Sequence, residues 1–184
     1  MAPRERTSDR PNLDRPGLVV WLTGLPSSGK STLARALYVE LTRRGFASVI
    51  LDSDEVRDAI VPPHGYSDDG RDAFYETLAR LAAVVAAQGH VVLVPATASR
   101  AAHRVRARTL APNFIEVYVD TPLDECERRD PKGLYRAARD GGLQALPGRG
   151  APFEAPEAPD AVAHGGDDKT ALEHVLDLVS RRLR

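Results

Sequence analysis

The feature that most constrains this chain is a short loop placed directly after an apolar run. Leu18-Val19-Val20-Trp21-Leu22 leads into Gly24-Leu25-Pro26-Ser27-Ser28-Gly29-Lys30-Ser31-Thr32. The spacing fits G-x-x-x-x-G-K-[ST]. Glycines at both ends let the backbone curl so that successive N–H groups point inward at phosphate oxygens. A helix starting immediately afterwards adds its positive end. In that arrangement Lys30 reaches the outer phosphates and Ser31 offers its hydroxyl to Mg²⁺. The loop needs a strand before it and a helix after it. Residues 18–22 read as a buried strand, and Leu33, Leu37 and Leu41 lie four apart along a helix over 30–43.

Strand and helix alternate along the rest of the chain. Apolar runs predict strands over 47–54, 90–96 and 113–120, with "DAVAH" as a fifth. Helices are expected over 54–60 and 71–88, in the basic stretch "SRAAHRVRARTL", from "PLDECERR", and over 168–182. Phe74, Leu78, Leu81 and Val85 would face inward from the second of these, and Leu172, Val175, Leu176 and Val179 from the last. "HGYSDDG" reads as a loop. Strands that are continuous apolar runs belong to a mainly parallel sheet covered by helices on both faces, an α/β three-layer architecture. Residues 130–159 are rich in Gly, Pro and Arg with weak periodicity, the pattern of a lid. Residues 17–184 thus read as one domain. Residues 1–16 mix both charges with three prolines, lack the apolar core of a signal peptide, and read as a flexible arm.

Composition narrows the partners. Lys and Arg number 25 against 26 Asp and Glu, a net charge of -1, which argues against a general nucleic-acid binder. No apolar run approaches the ~20 residues of a membrane span. The single cysteine, Cys126, leaves no internal disulfide and fits a reducing, cytoplasmic setting. Oligomeric state stays open, a homodimer included.

The chemistry is that of a nucleotide enzyme, and its class can be narrowed. A GTPase would carry Asn-Lys-x-Asp, but Asn12 and Asn113 are the only asparagines and neither precedes a lysine. The strand at 90–96 ends Val94-Pro95-Ala96, without a metal-binding carboxylate. The strand at 47–54 ends Asp52-Ser53-Asp54. Carboxylates at the carboxyl end of a strand beside the loop strand reach Mg²⁺ and an incoming hydroxyl, as in a small-molecule kinase. Asp54 also suits a helix N-cap, and one residue can do both.

"GLPSSGKST", "LDSDEVR", "GYSDDGR", "FIEVYVDTPLDECERRDPKGLYRAAR" and "PFEAPEAPD" together resemble adenylylsulfate kinases, from about Gly17 to Asp160. The resemblance implies the P-loop kinase fold, ATP as donor with Mg²⁺, and adenosine 5'-phosphosulfate as acceptor at its ribose 3'-hydroxyl. By position it implies that Asp52 and Asp54 are the two acids of the family's Leu-Asp-Gly-Asp segment. Asp54 would orient or deprotonate the hydroxyl and help hold the metal. Arg57 and Arg71 would grip the acceptor's anion, Tyr66 would stack on its adenine, and Lys132, Gly133 and Leu134 would belong to the lid. Guanidinium groups suit phosphate and sulfate because their donors fork. A basic lid excludes water that would otherwise compete for the phosphoryl group. Arg128, Arg129 and Lys132 would also suit a solvated helix end.

Departures from the family pattern that bear on the site fall on the acceptor side. Phe74 stands for an asparagine, Glu76-Thr77 for an arginine pair, and Gly70 for an aspartate. Thr97-Ala98-Ser99 stands for Ile-Ser-Pro, and Leu146 for a second stacking aromatic in the lid. An aliphatic wall in place of an aromatic one would cost ~1–3 kcal/mol of stacking. The sequence therefore leaves two further readings: a P-loop kinase for another nucleotide conjugate or phosphorylated metabolite, and a nucleotide-responsive module without chemistry.

Overall fold

A computed structural model of the protein describes residues 16–142 and 146–184. The expected arm at 1–16 lies, but for its last residue, outside the described residues. The chain opens with β1 (Leu18–Thr23), α1 (Lys30–Arg43), β2 (Ser48–Ile50), α2 (Ser53–Ala59), α3 (Asp68–Ala87) and β3 (Val91–Pro95). It continues through α4 (Ala101–Leu110), β4 (Phe114–Val119), α5 (Leu123–Arg129) and α6 (Leu134–Arg139). A small ribbon of β5 (Leu146–Pro147) and β6 (Gly150–Ala151) precedes β7 (Ala161–Ala163) and α7 (Lys169–Arg182).

Five strands form one parallel sheet in the order β2-β3-β1-β4-β7. β1 lies at its centre and is buried along its whole length. Its side chains alternate between two cores. Leu18, Val20 and Leu22 pack with Leu33, Leu37 and Leu41 of α1 and Val175, Leu176 and Val179 of α7. Val19 and Trp21 pack on the other face with Phe74, Leu78 and Ala82 of α3 and with Phe114. A strand needing apolar residues at every position is what a sheet between two helical layers requires. The chain moves from β3 to β4 across β1, so a crevice opens at the carboxyl end of β1, where ligands of such sheets bind. Among the described residues no helix is long and apolar enough to cross a membrane.

Several expectations are corrected at this level. α3 begins at Asp68, so "HGYSDDG" is a loop only in its first half. Ser67 caps the helix, its Oγ accepting from the Gly70 N–H at 3.2 Å, and Asp68 and Asp69 favour the positive helix end. Within α3 the inward stripe is Phe74, Tyr75, Leu78, Ala79, Ala82 and Ala86, whereas Leu81 is 39% exposed. The alanines let the helix backbone sit close to the sheet, and the bulkier Leu81 turns outward. α2 starts at Ser53 because Asp52, not Asp54, is its cap: Asp52 Oδ1 accepts from the Asp54 N–H at 3.1 Å. The stretch 130–159 contains α6, too short to show periodicity, whose first amides at Tyr135 and Arg136 are taken by the Asp130 carboxylate at 3.2 and 2.9 Å.

Candidate active site

The loop between β1 and α1 has the strained backbone its sequence implies. Gly24 and Gly29 take φ of +154° and +104°, and Ser27 takes +63°. A side chain at Gly29 would put its Cβ 2.4 Å from the backbone nitrogen of Gly166, so only glycine fits. At Gly24 a Cβ would stand 2.5 Å from the Val119 carbonyl oxygen. Thus the loop is clasped between the ends of β4 and the Gly165-Gly166 turn.

Three contacts from the α5–α6 region set the loop's outer wall. Thr121 Oγ1 donates to the Ser28 carbonyl at 2.9 Å, and Arg129 Nη1 donates to the same oxygen at 3.4 Å. Tyr135 Oη donates to the Pro26 carbonyl at 3.0 Å. Neither Thr121, Tyr135 nor the glycine pair was singled out in the sequence. The Gly165-Gly166 doublet, one residue beyond β7, is the one signal that marked a close approach. Arg129 also pairs with Glu125, so the solvated-helix-end reading holds only in part for that residue.

Lys30 is 9% exposed, and its Nζ donates to the carbonyls of Gly24 at 3.0 Å and Leu25 at 2.7 Å. Burial pushes its pKa from 10.5 down to about 8, against the opposing pull of Cys126, Asp54 and Asp52. Ser31 Oγ donates to Asp52 Oδ2 at 2.7 Å. Asp54 follows on the first turn of α2 and pairs with Lys132, whose ammonium it holds above the usual lysine range. Loop, paired acids and the segment around Lys132 therefore meet at one place. Gly133 takes a left-handed φ of +66° and caps α6, while Leu134 packs beside the small core of Cys126, Tyr135 and Leu146.

Oxygen ligands of this kind suit Mg²⁺, which binds through one or two carboxylates plus phosphates. The Ser31 hydroxyl and the Asp52 carboxylate, already within hydrogen-bonding distance, fit that ion. Among the described residues no cluster of three or more His, Cys, Asp or Glu forms a self-contained metal site, so phosphate oxygens would complete the shell.

The residues expected on the acceptor side gather on α2, α3 and the loop between them. The Arg57 guanidinium lies 3.6 Å from the Phe74 ring centre and 4.8 Å from that of Tyr66, and Nη1 donates to the His64 carbonyl at 3.2 Å. Phe74, in place of the family asparagine, is thus an aromatic bed for Arg57. Arg71 Nε donates to the Tyr66 carbonyl at 3.0 Å, and Tyr66 itself is 71% exposed. Leu146 departs from expectation: it is 7% exposed inside the core with Cys126 and Tyr135, and so is no aliphatic wall facing a ligand. A leucine there satisfies a small apolar cluster under the ribbon.

The family model for adenylylsulphate kinase matches residues 16–164. The chain belongs to the adenylylsulfate kinase family. An adenylyl-sulfate kinase of Enterobacter sp. (strain 638) is 43% identical over 166 residues, spanning 89% of this chain and 83% of the relative. The APS kinase CysC of Mycobacterium tuberculosis, solved with AMPPNP and APS, is 37% identical with a TM-score of 0.84, covering 90% of this chain and 99% of that one. A Janibacter sugar kinase at 18% identity and a TM-score of 0.62, covering 90% of this chain and 95% of its own, shares the fold alone. Within this family Arg57 keeps the expected arginine, while Phe74, which stands for the family asparagine, lies against it.

Proposed function

We infer that this chain transfers the γ-phosphoryl group of ATP to the ribose 3'-hydroxyl of adenosine 5'-phosphosulfate, giving 3'-phosphoadenylylsulfate and ADP. The observation that carries this reading is the meeting of Lys30, Ser31, Asp52, Asp54 and Lys132 at the carboxyl end of β1, in a chain of this family. The new bond joins the 3'-oxygen to the γ-phosphorus as the bond to the β–γ bridging oxygen breaks. The hydroxyl proton leaves toward Asp54.

The protein's own groups do the positioning. The amides of residues 24–31 cradle the phosphates, and Lys30 adds a positive charge against the outer ones. Ser31 and Asp52 would hold Mg²⁺, with Asp54 nearby; bound Mg²⁺ supplies charge neutralisation on the β- and γ-phosphates. Asp54 orients the 3'-hydroxyl. Arg57, bedded on Phe74, and Arg71 take the acceptor's phosphosulfate end, and Tyr66 offers its exposed ring to the adenine. Lys132, Gly133 and Leu134 cover the site, excluding water from the transfer. A coupled assay with ATP, Mg²⁺ and adenylylsulfate tests the reading, and folded protein without turnover above background would reject it.

A second reading keeps ATP and changes the acceptor. It is favoured by one observation, the aromatic bed of Phe74 under Arg57, which reshapes the acceptor end. Screening nucleotide conjugates and phosphorylated metabolites with γ-labelled ATP separates the two; adenylylsulfate as far the best acceptor removes the second.

A further inference from the structure

Thr97-Ala98-Ser99, which follow β3 after Ala96, lie at the carboxyl end of the sheet beside the phosphate loop. They are fixed from three directions. Thr23 Oγ1, at the end of β1, donates to the Thr97 carbonyl at 2.7 Å. Arg104 Nη1 donates to the Ala98 carbonyl at 2.8 Å. The Ala98 N–H donates to the hydroxyl of Tyr75, 23 residues earlier on α3, at 2.9 Å.

Ala98 needs such holding. It is fully buried, and its φ of +41° lies in the left-handed region that favours glycine. A buried N–H without a partner is costly, so the Tyr75 hydroxyl, the acceptor of the Ala98 N–H, is one of the three contacts that hold this turn in shape. The hydroxyl has little freedom of its own. The Tyr75 ring meets Phe74 edge-on at 5.3 Å and stacks on His103 at 4.4 Å, and the His103 ring is tied through Nε2 to Asp72 at 2.7 Å. Burial pushes the Tyr75 phenol up and keeps it protonated, while Arg57, Arg71 and Asp54 are near enough for their charges to act on it.

One helix therefore serves both halves of the acceptor end. α3 carries Arg71, supplies Phe74 as the bed of Arg57, and reaches across with Tyr75 to residues 97–99. We propose that Tyr75 is a positioning residue for the acceptor, its hydroxyl holding the Ala98 amide and with it the 97–99 turn against the bound acceptor. The inference rests on the functional reading above and deepens it: Tyr75 joins two of the places where this chain departs from the family pattern, Phe74 and residues 97–99.

The test is Tyr75→Phe, which removes one oxygen and keeps the ring. The expected result is a KM for adenylylsulfate raised at least tenfold, with kcat and the KM for ATP within twofold of wild type. Amide exchange over residues 96–100 should quicken at the same time. A purely structural tyrosine would instead lower the melting temperature and leave both KM values alone, and that outcome overturns the proposal, as does unchanged exchange. If the variant precipitates, the wild-type protein decides: strong protection of the Ala98 N–H supports the proposal, and exchange at the rate of an open chain overturns it. If wild-type protein leaves adenylylsulfate unphosphorylated, the functional reading falls, and the exchange comparison alone settles whether Tyr75 holds the turn.

Discussion

The Ser31 hydroxyl, on the first turn of α1, donates to Asp52 Oδ2 across 2.7 Å, while Oδ1 of the same carboxylate caps α2. One side chain thus joins the donor loop to the helix that carries Asp54 and Arg57. The link spans 21 residues of sequence and two neighbouring elements of the site.

Asp52→Ala should therefore act twice. Loss of the cap costs about 1 kcal/mol of stability, read as a lower denaturant midpoint. Loss of the charged oxygen beside Ser31 should cut kcat by ~100-fold or more, read in the coupled assay. A variant with the lower midpoint and undiminished kcat would confine Asp52 to capping.

Lys30 gives a pH signature. Its pKa in the folded protein is near 8 and ordinarily 10.5, so the unfolded chain binds its proton more tightly. Folding stability tied to this group is lowest below pH 8 and rises between about pH 8 and 10.5. At 1.36 kcal/mol per pH unit this amounts to on the order of 3 kcal/mol. The difference in unfolding free energy between wild type and Lys30→Met, followed by denaturation across that range, should show the rise. Lys30→Met should also cripple turnover at every pH. ATP affinity of the wild type should fall above pH 8, as the ammonium loses its proton.

Tyr66→Ala should raise the KM for the acceptor by about 5- to 150-fold, the equivalent of one stacked base, with a modest change in kcat. Initial rates at varied adenylylsulfate and saturating ATP check this. A large fall in kcat at unchanged KM would place Tyr66 outside the acceptor's seat.

Gly29→Ala should be far more harmful than its one methyl suggests. The Cβ meets the Gly166 backbone at 2.4 Å and the residue holds a φ of +104°. Backbone strain of this kind costs about 1–3 kcal/mol before any clash, and the loop must shift to relieve it. Calorimetric titration with ATP should show binding lost or greatly weakened in protein that still folds.

Arg104→Met tests the buried hub behind the acceptor turn. Arg104 is 4% exposed and donates to Glu116 Oε1 at 2.8 Å, to the Ala98 carbonyl at 2.8 Å and to the Glu154 carbonyl at 2.7 Å. Removing it leaves Glu116 largely uncompensated, so a loss of about 3–5 kcal/mol is expected, measured as a drop in unfolding free energy. Arg108, 3.4 Å from the other Glu116 oxygen, is too exposed to replace it.

The donor side was legible because its information is local. Gly24, Gly29, Lys30 and Ser31 sit within eight consecutive residues, and each glycine marks a backbone angle that other residues resist. The strands were legible for a related reason: β1 is flanked by helices on both faces, so every position must be apolar. Harder to read was α3, where the chain's own alanines shift the inward stripe away from Leu81. Leu146 was misread because one residue at a family position does not reveal whether its neighbours form a core.

By itself the sequence determined the parallel three-layer sheet, the phosphate loop and the pair of acids after β2, since periodicity and spacing along a chain fix angles and faces directly. Only the tertiary structure decided that Lys132 meets Asp54, 78 residues away, that Phe74 lies beneath Arg57, and that Tyr75 holds Ala98. Such contacts depend on how helices settle on the sheet, which is set by the combined packing of many side chains and leaves no trace in any one stretch.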